Sequence, residues 1–236
     1  QMLRPARQDG DKGHGQGHTQ RAYCWAYSPA VFEDDKAVVY DFCDGRAGAN
    51  ARRFLGEWQG TLVTDDFAGY KALYAQGITE AGCWAHARRK FFDLHASSQS
   101  PMAAQALDYI GQLYEVERQA REQAATAQQR GLLRQAKSKP LLDAMHAWMQ
   151  LMRHKVMDNS AAAKALDYSL RRWAALSRFL DDPQLPIDNN HIENQIRPIA
   201  LGRKNWLFAG SLRAGQRAAA IMSLIQSARM NGHDTY

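Results

Sequence analysis

Asp65 follows Thr61-Leu62-Val63-Thr64, a run that reads as a short buried strand. A carboxylate at such a strand end projects off the sheet, where a hard cation such as Mg²⁺ takes oxygen ligands and keeps part of its water. Asp66 faces the other way in an extended chain and is the poorer ligand. A turn role for Asp65 is the plain alternative. Glu193 is the second carboxylate, in the amide-rich stretch DNNHIENQIRP. On a helix, Asn189 and Arg197 lie four residues before and after it, so the three share a face. The plain alternative there is a surface Glu–Arg pair, which is worth little. The two acids are 128 residues apart and meet only if the intervening chain is a detour that returns to the sheet.

Cys83-Trp84-Ala85-His86 has the Cys-x-x-His spacing of half a zinc site, and no second pair of comparable spacing follows. Arg88-Arg89-Lys90 comes directly after, so the same segment can instead meet phosphate. No Walker motif, no G-x-G-x-x-G after a strand and no G-x-S-x-G is present, which removes support for nucleotide-dependent and serine-hydrolase chemistry.

The elements that must hold these groups fall into two patterns. Ala22–Tyr27 and Ala37–Phe42 read as a strand hairpin, Asn50–Trp58 as a helix, Thr61–Thr64 and Ile78–Trp84 as strands. That is an α/β order. Residues 4–20 read as a mobile loop. From Met102 to Leu180 apolar residues recur at helical spacing, with Pro140 in a first turn and Ser160 as an N-cap. Asp188-Asn189-Asn190 starts a helix that Pro198 soon disturbs or ends. Ser211 caps a last helix with Ala218, Ile221, Met222 and Ile225 inward, closed by Asn231-Gly232.

The 236 residues are 45% hydrophobic and 23% charged, which excludes a disordered, collagen-like or disulfide-stapled chain. Three cysteines without a pairing pattern indicate a reducing compartment. The apolar stretch Ala218–Ala228 is 11 residues long, whereas a membrane span needs about 20. The net charge is +6, and from Arg197 to Arg229 there are six basic residues and no acid. Interleaved with Trp206 and Phe208, this end suits a nucleic-acid partner, with a solvated basic face as the alternative. The start at Gln1, without an apolar signal core, reads as a piece of a longer chain.

Four segments, LVTDDFAGYKAL (62–73), GCWAHARRKF (82–91), DNNHIENQIRPIALGRKNWLFAGS (188–211) and SLIQSARMNG (223–232), resemble the transposase of the insertion-sequence 66 family. They occur in this order and at similar separations, so the resemblance covers essentially the whole chain. It implies a bacterial DDE transposase core with an α/β fold: a ribonuclease H-like mixed sheet flanked by helices and interrupted by an all-helical insertion. Residues 1–98 and 184–236 would form the core, with its first strand truncated, and 99–183 the insertion. Asp65 matches the second catalytic acid and Glu193 the third. The first is expected just upstream of Gln1, and Asp9 and Asp11 are poor substitutes. The family's N-terminal region, with a zinc-finger-like segment and a DNA-binding region, is absent. Asp66 stands where the family usually has Gly.

The implied activity is strand nicking and strand transfer on DNA with Mg²⁺ or Mn²⁺, and inactivity of this piece alone. Asp65 and Glu193 would hold the metal, with Asn189 and Arg197 orienting Glu193. Cys83 and His86 match an element with an architectural or DNA-related role. Arg88, Arg89, Arg203, Lys204 and Trp206 are the expected DNA contacts. The expected partners are DNA, as element ends and target, and further copies of the chain, with no membrane. The expected location is the bacterial cytoplasm, at the nucleoid. The alternative is a non-catalytic DNA-binding or oligomerisation remnant of a decayed transposase.

Overall fold

The structure is a computed structural model that describes residues 6–9, 19–206 and 209–235, and only the backbone at 6–9, 19–20 and 203–206. In chain order it has β1 (Ala6–Asp9), β2 (Thr19–Tyr27), β3 (Val39–Cys43), α1 (Gly48–Leu55) and β4 (Thr61–Thr64). A 3-10 turn (Ala68–Tyr70), α2 (Lys71–Ala75) and β5 (Thr79–Gly82) follow. Then come α3 (Trp84–Ser98), α4 (Pro101–Glu122), α5 (Ala127–Leu133), a π-helical turn (Arg134–Ser138) and α6 (Lys139–Arg153). The last helices are α7 (Ala161–Arg171), α8 (Trp173–Ser177), α9 (Asn190–Trp206) and α10 (Leu212–Met230). The fold is α/β and mostly helical. Among the described residues, no helix is long and apolar enough to cross a membrane. The chain divides into two compact units.

The first unit comprises residues 1–60, 66–79 and 189–236. Its sheet has the order β1-β2-β3, antiparallel throughout, with Ala6 opposite Ala22 and Ala26 opposite Tyr40. Strand β2 alternates small and aromatic residues, and the period of two sends them to opposite faces. Ala22, Cys24 and Ala26 join Val38, Tyr40 and Phe42 under Ile196 of α9 and Ala219 of α10. The small side chains let these helices approach closely. A Cβ at Gly215 would lie 2.2 Å from the Phe42 ring. On the other face Trp25 meets Phe67 and Tyr70 edge-on, and Tyr27 stacks on Phe54 of α1.

The second unit comprises residues 61–65 and 80–188. It holds the paired strands β4 and β5 and the block α3–α8. Trp84, Phe91 and Leu94 of α3 pack with Ala103, Ile110 and Leu113 of α4, Leu142 and Met149 of α6, and Leu166 of α7. The Trp84 Nε1–H donates to the Leu176 carbonyl at 2.8 Å. Glu117 and Arg134 form a buried ion pair at 2.7 Å. Ser100, Thr126 and Ser160 cap α4, α5 and α7, each accepting an N–H three residues on.

Three local expectations are corrected. Within the stretch read as a loop, Ala6–Asp9 forms β1, because strand pairing uses backbone groups that no side-chain pattern reports. Helix α9 runs through Pro198 to Trp206. Proline lacks the N–H that would reach the Asn194 carbonyl, and the next carbonyl along, that of Gln195, accepts the Tyr40 hydroxyl. The inner face of α10 is Gly215, Ala219 and Gln226 with Met222 packed beside them as expected, Ile225 is half-buried, and Ala218 and Ile221 are exposed. Polar docking explains that rotation. The amides of Val38 and Tyr40 donate to the hydroxyls of Ser227 and Ser223 at 3.0 and 2.9 Å, so α10 covers an open strand edge.

Candidate active site

Strand β4 ends at buried Thr64, and half-buried Asp65 follows directly, at the boundary of the second unit. Asp66 is exposed, as the alternation requires. In the first unit, Glu193 is half-buried in the first turn of α9, where the helix dipole favours a carboxylate. Its amide donates to the carbonyl of buried Asn189 at 3.1 Å, so Asn189 and Glu193 share that turn. Arg197 is exposed one turn further on. Among the described residues, no group of three His, Cys, Asp or Glu side chains is placed to hold a metal ion.

In the second unit the structure brings Cys83 and His86 together. Cys83 is the N-cap residue of α3, buried, with its Sγ 3.2 Å from His86 Nδ1. The next amide, of Trp84, donates to the Ile187 carbonyl at 3.1 Å. The Tyr114 hydroxyl of α4 donates to Asp188 Oδ2 at 2.7 Å. Burial and the Asp188 charge push the Tyr114 phenol well above its ordinary range. Residues 187–188, which run straight into Asn189 and the Glu193 helix, are therefore held from two helices. In the sequence Asp188 reads only as a helix-start signal. Tyr114 lies 74 residues away in the helical stretch 102–180, so no local pattern reports the pair.

The expected DNA contacts are placed unevenly. Arg88 and Arg89 are exposed on α3, and the Arg88 guanidinium lies 5.7 Å from the centre of the Phe92 ring. Arg203, Lys204 and Trp206 have their backbone in the last turns of α9, and their side chains lie outside the described residues. A polar cluster in the first unit has no sequence signal. Arg53 pairs with Asp41 at 3.1 Å, and the Cys43 thiol donates to Asp41 at 3.3 Å.

Comparison with known proteins adds a family. The family described as Transposase IS66 family matches residues 8–217. Three curated proteins of Sinorhizobium fredii (strain NBRC 101917 / NGR234), each named only as an uncharacterized protein, are similar along most of the chain. The protein y4qI is 38% identical over 232 residues, which cover 93% of this chain and 43% of that protein. The protein y4jD is 33% identical over 235 residues, with 93% and 45% covered. The protein y4hP is 36% identical over 215 residues, with 84% and 39% covered. The chain thus spans less than half the length of these relatives. No solved structure matches it.

Proposed function

The chain belongs to the IS66 transposase family, and on that premise we propose that it is the catalytic core region of a DNA transposase. The reaction is phosphoryl transfer on DNA. In nicking, a water oxygen attacks the scissile phosphorus and the 3′ oxygen leaves. In strand transfer, that 3′-hydroxyl attacks a phosphorus of the target strand, whose own 3′ oxygen leaves. The observation that carries this reading is the family match through both acids, Asp65 behind a strand and Glu193 in a helix's first turn.

The ribonuclease H-like reading is supported by the first unit. An antiparallel three-strand sheet there has α1 and the 3-10 turn on one face and α9 and α10 on the other. Asp65 and Glu193 are hard-oxygen donors of the kind Mg²⁺ and Mn²⁺ take, and they are the residues of this chain that would hold such an ion. When bound, a divalent cation supplies Lewis-acid polarisation of the phosphate and charge neutralisation at the leaving oxygen. Asn189 fixes the first turn of α9 and so the start point of Glu193, and Arg197 shares its face. Cys83 and His86 join the start of α3, next to the contact that holds Ile187. Arg88 and Arg89, with Arg203, Lys204 and Trp206, meet DNA backbone and bases. Transposition joins two element ends, so the working form is an oligomer of this chain, in the bacterial cytoplasm.

The test is Mg²⁺- or Mn²⁺-dependent nicking of supercoiled plasmid by residues 1–236 and by a version extended upstream through the expected first Asp. Each is compared with its Asp65→Ala and Glu193→Gln variants. The expected result is cutting by the extended protein that both substitutions abolish, and silence from residues 1–236. Cutting that survives Asp65→Ala refutes the assignment. DNA binding without any cutting by either version supports the alternative, a non-catalytic DNA-binding remnant.

A further inference from the structure

The second unit carries a cationic face that joins part of the Arg88-Arg89-Lys90 run of α3 to basic residues of α7. Tyr168 of α7 lies at its centre, half-buried. The Lys90 ammonium of α3 stands 5.4 Å from the centre of the Tyr168 ring, and the Arg172 guanidinium 5.6 Å. Lys164 and Arg171 are exposed at four residues before and three after Tyr168, so they share its helix face. Arg89 is exposed on α3, one residue from Lys90.

The acids nearby are largely committed. Glu80 pairs with Arg172 at 2.6 Å. Asp167 pairs with Arg153 at 2.7 Å and with Arg171 at 3.4 Å. Asp93 is exposed on α3. Among the described residues, neither Lys90 nor Lys164 has a carboxylate within ion-pair distance. The Tyr168 ring restrains the exposed Lys90 side chain, which lowers the entropy lost when it meets an anion.

We propose that Lys90, Lys164, Tyr168 and Arg171 form a surface that binds the phosphodiester backbone of duplex DNA without reading its sequence. This rests on the transposase reading and adds a contact face to it, carried by the helical block. Lys164 and Arg171 are about 10 Å apart along the axis of α7. Each strand of a duplex presents a phosphate charge about every 3.4 Å along its axis, so the ridge spans about three phosphates. An extended acidic chain carries charge at a similar interval, so it is the family's DNA chemistry that selects the duplex as the ligand.

The experiment measures binding of residues 1–236 to a random-sequence 30-base-pair duplex across a salt series, with polyglutamate as a second ligand. Lys90→Ala/Lys164→Ala is compared with Lys139→Ala/Lys155→Ala, which removes the same charge elsewhere on the same unit. Each phosphate contact contributes about 0.9 to the slope of log K against log salt. The expected result is a slope smaller by about 1.8 for the first pair, and a smaller change for the second, with equal melting curves for all proteins. Equal loss from both pairs overturns the proposal, since bulk charge then suffices. An unchanged slope in the first pair, or an effect on polyglutamate alone, also overturns it while leaving the transposase reading intact. A wild-type chain that binds no DNA overturns the proposal, while the transposase reading is decided by the nicking assay of the extended protein.

Discussion

Replacing Arg134 by methionine strands a carboxylate inside the helical unit. The Arg134 and Glu117 side chains are 1% and 6% exposed. The guanidinium donates through Nε and Nη2 to the two Glu117 oxygens at 2.8 and 2.7 Å, and through Nη1 to the Phe179 carbonyl at 2.8 Å. A second Nη1 bond reaches the Asp182 carbonyl at 3.3 Å. Removing one partner of such a pair costs about 3–5 kcal/mol, because the other charge stays buried without compensation. The double variant Glu117→Leu/Arg134→Met removes both charges and loses only the donors to two carbonyls, about 1 kcal/mol each. It is therefore expected to be more stable than Arg134→Met alone. Two compact units make a single unfolding transition unsafe as a readout. Hydrogen exchange of α4 amides reports the unit itself, and exchange should speed up by on the order of 10² to 10³ in Arg134→Met. An acceleration below tenfold, or a double variant as fast as the single, refutes the reasoning.

Three further outcomes follow from other parts of the structure. Burial pushes the Cys24 thiol up to about 12, and burial followed by the hydrogen bond to Asp41 pushes Cys43 up to about 11. Both should resist iodoacetamide at pH 8 in the native protein and react in denaturant, and fast native labelling of either, read by mass spectrometry, contradicts the packing of β2 and β3. Burial lowers His191 below its ordinary 6.5. The unfolded chain then takes the proton first, so stability falls as pH drops from about 7 through the folded value, and His191→Gln should flatten that acid limb in urea titrations. Gly48→Ala would place a Cβ 2.1 Å from the Gly69 carbonyl oxygen, which is backbone and cannot swing aside. A loss of about 1–3 kcal/mol is expected, and unchanged hydrogen exchange of the β2 and β3 amides would show that the α1 packing is wrong.

Much of the local structure was legible in the chain because it rests on neighbours. The strand Thr61–Thr64 was read to the residue, since a short β-type run bounded by Asp-Asp allows little else. Ser160 and Ser211 cap α7 and α10 because a hydroxyl three residues before a free N–H needs no tertiary help. Asp65 behind its strand and Glu193 with Asn189 in one helical turn were likewise visible, since a strand end and a turn fix what lies beside them. What only the tertiary structure decided is what depends on distant partners. The rotation of α10 follows from Ser223 and Ser227 meeting the edge of β3, nearly 190 residues away, whereas apolar periodicity picks out Met222, which packs on the core, together with Ala218 and Ile221, which are exposed. Tyr114 against Asp188, Arg134 against Glu117 and Lys90 over Tyr168 join residues on separate elements. Spacing along a chain reports which side chains share a face, but which faces meet is set by packing, and packing is a property of the folded whole.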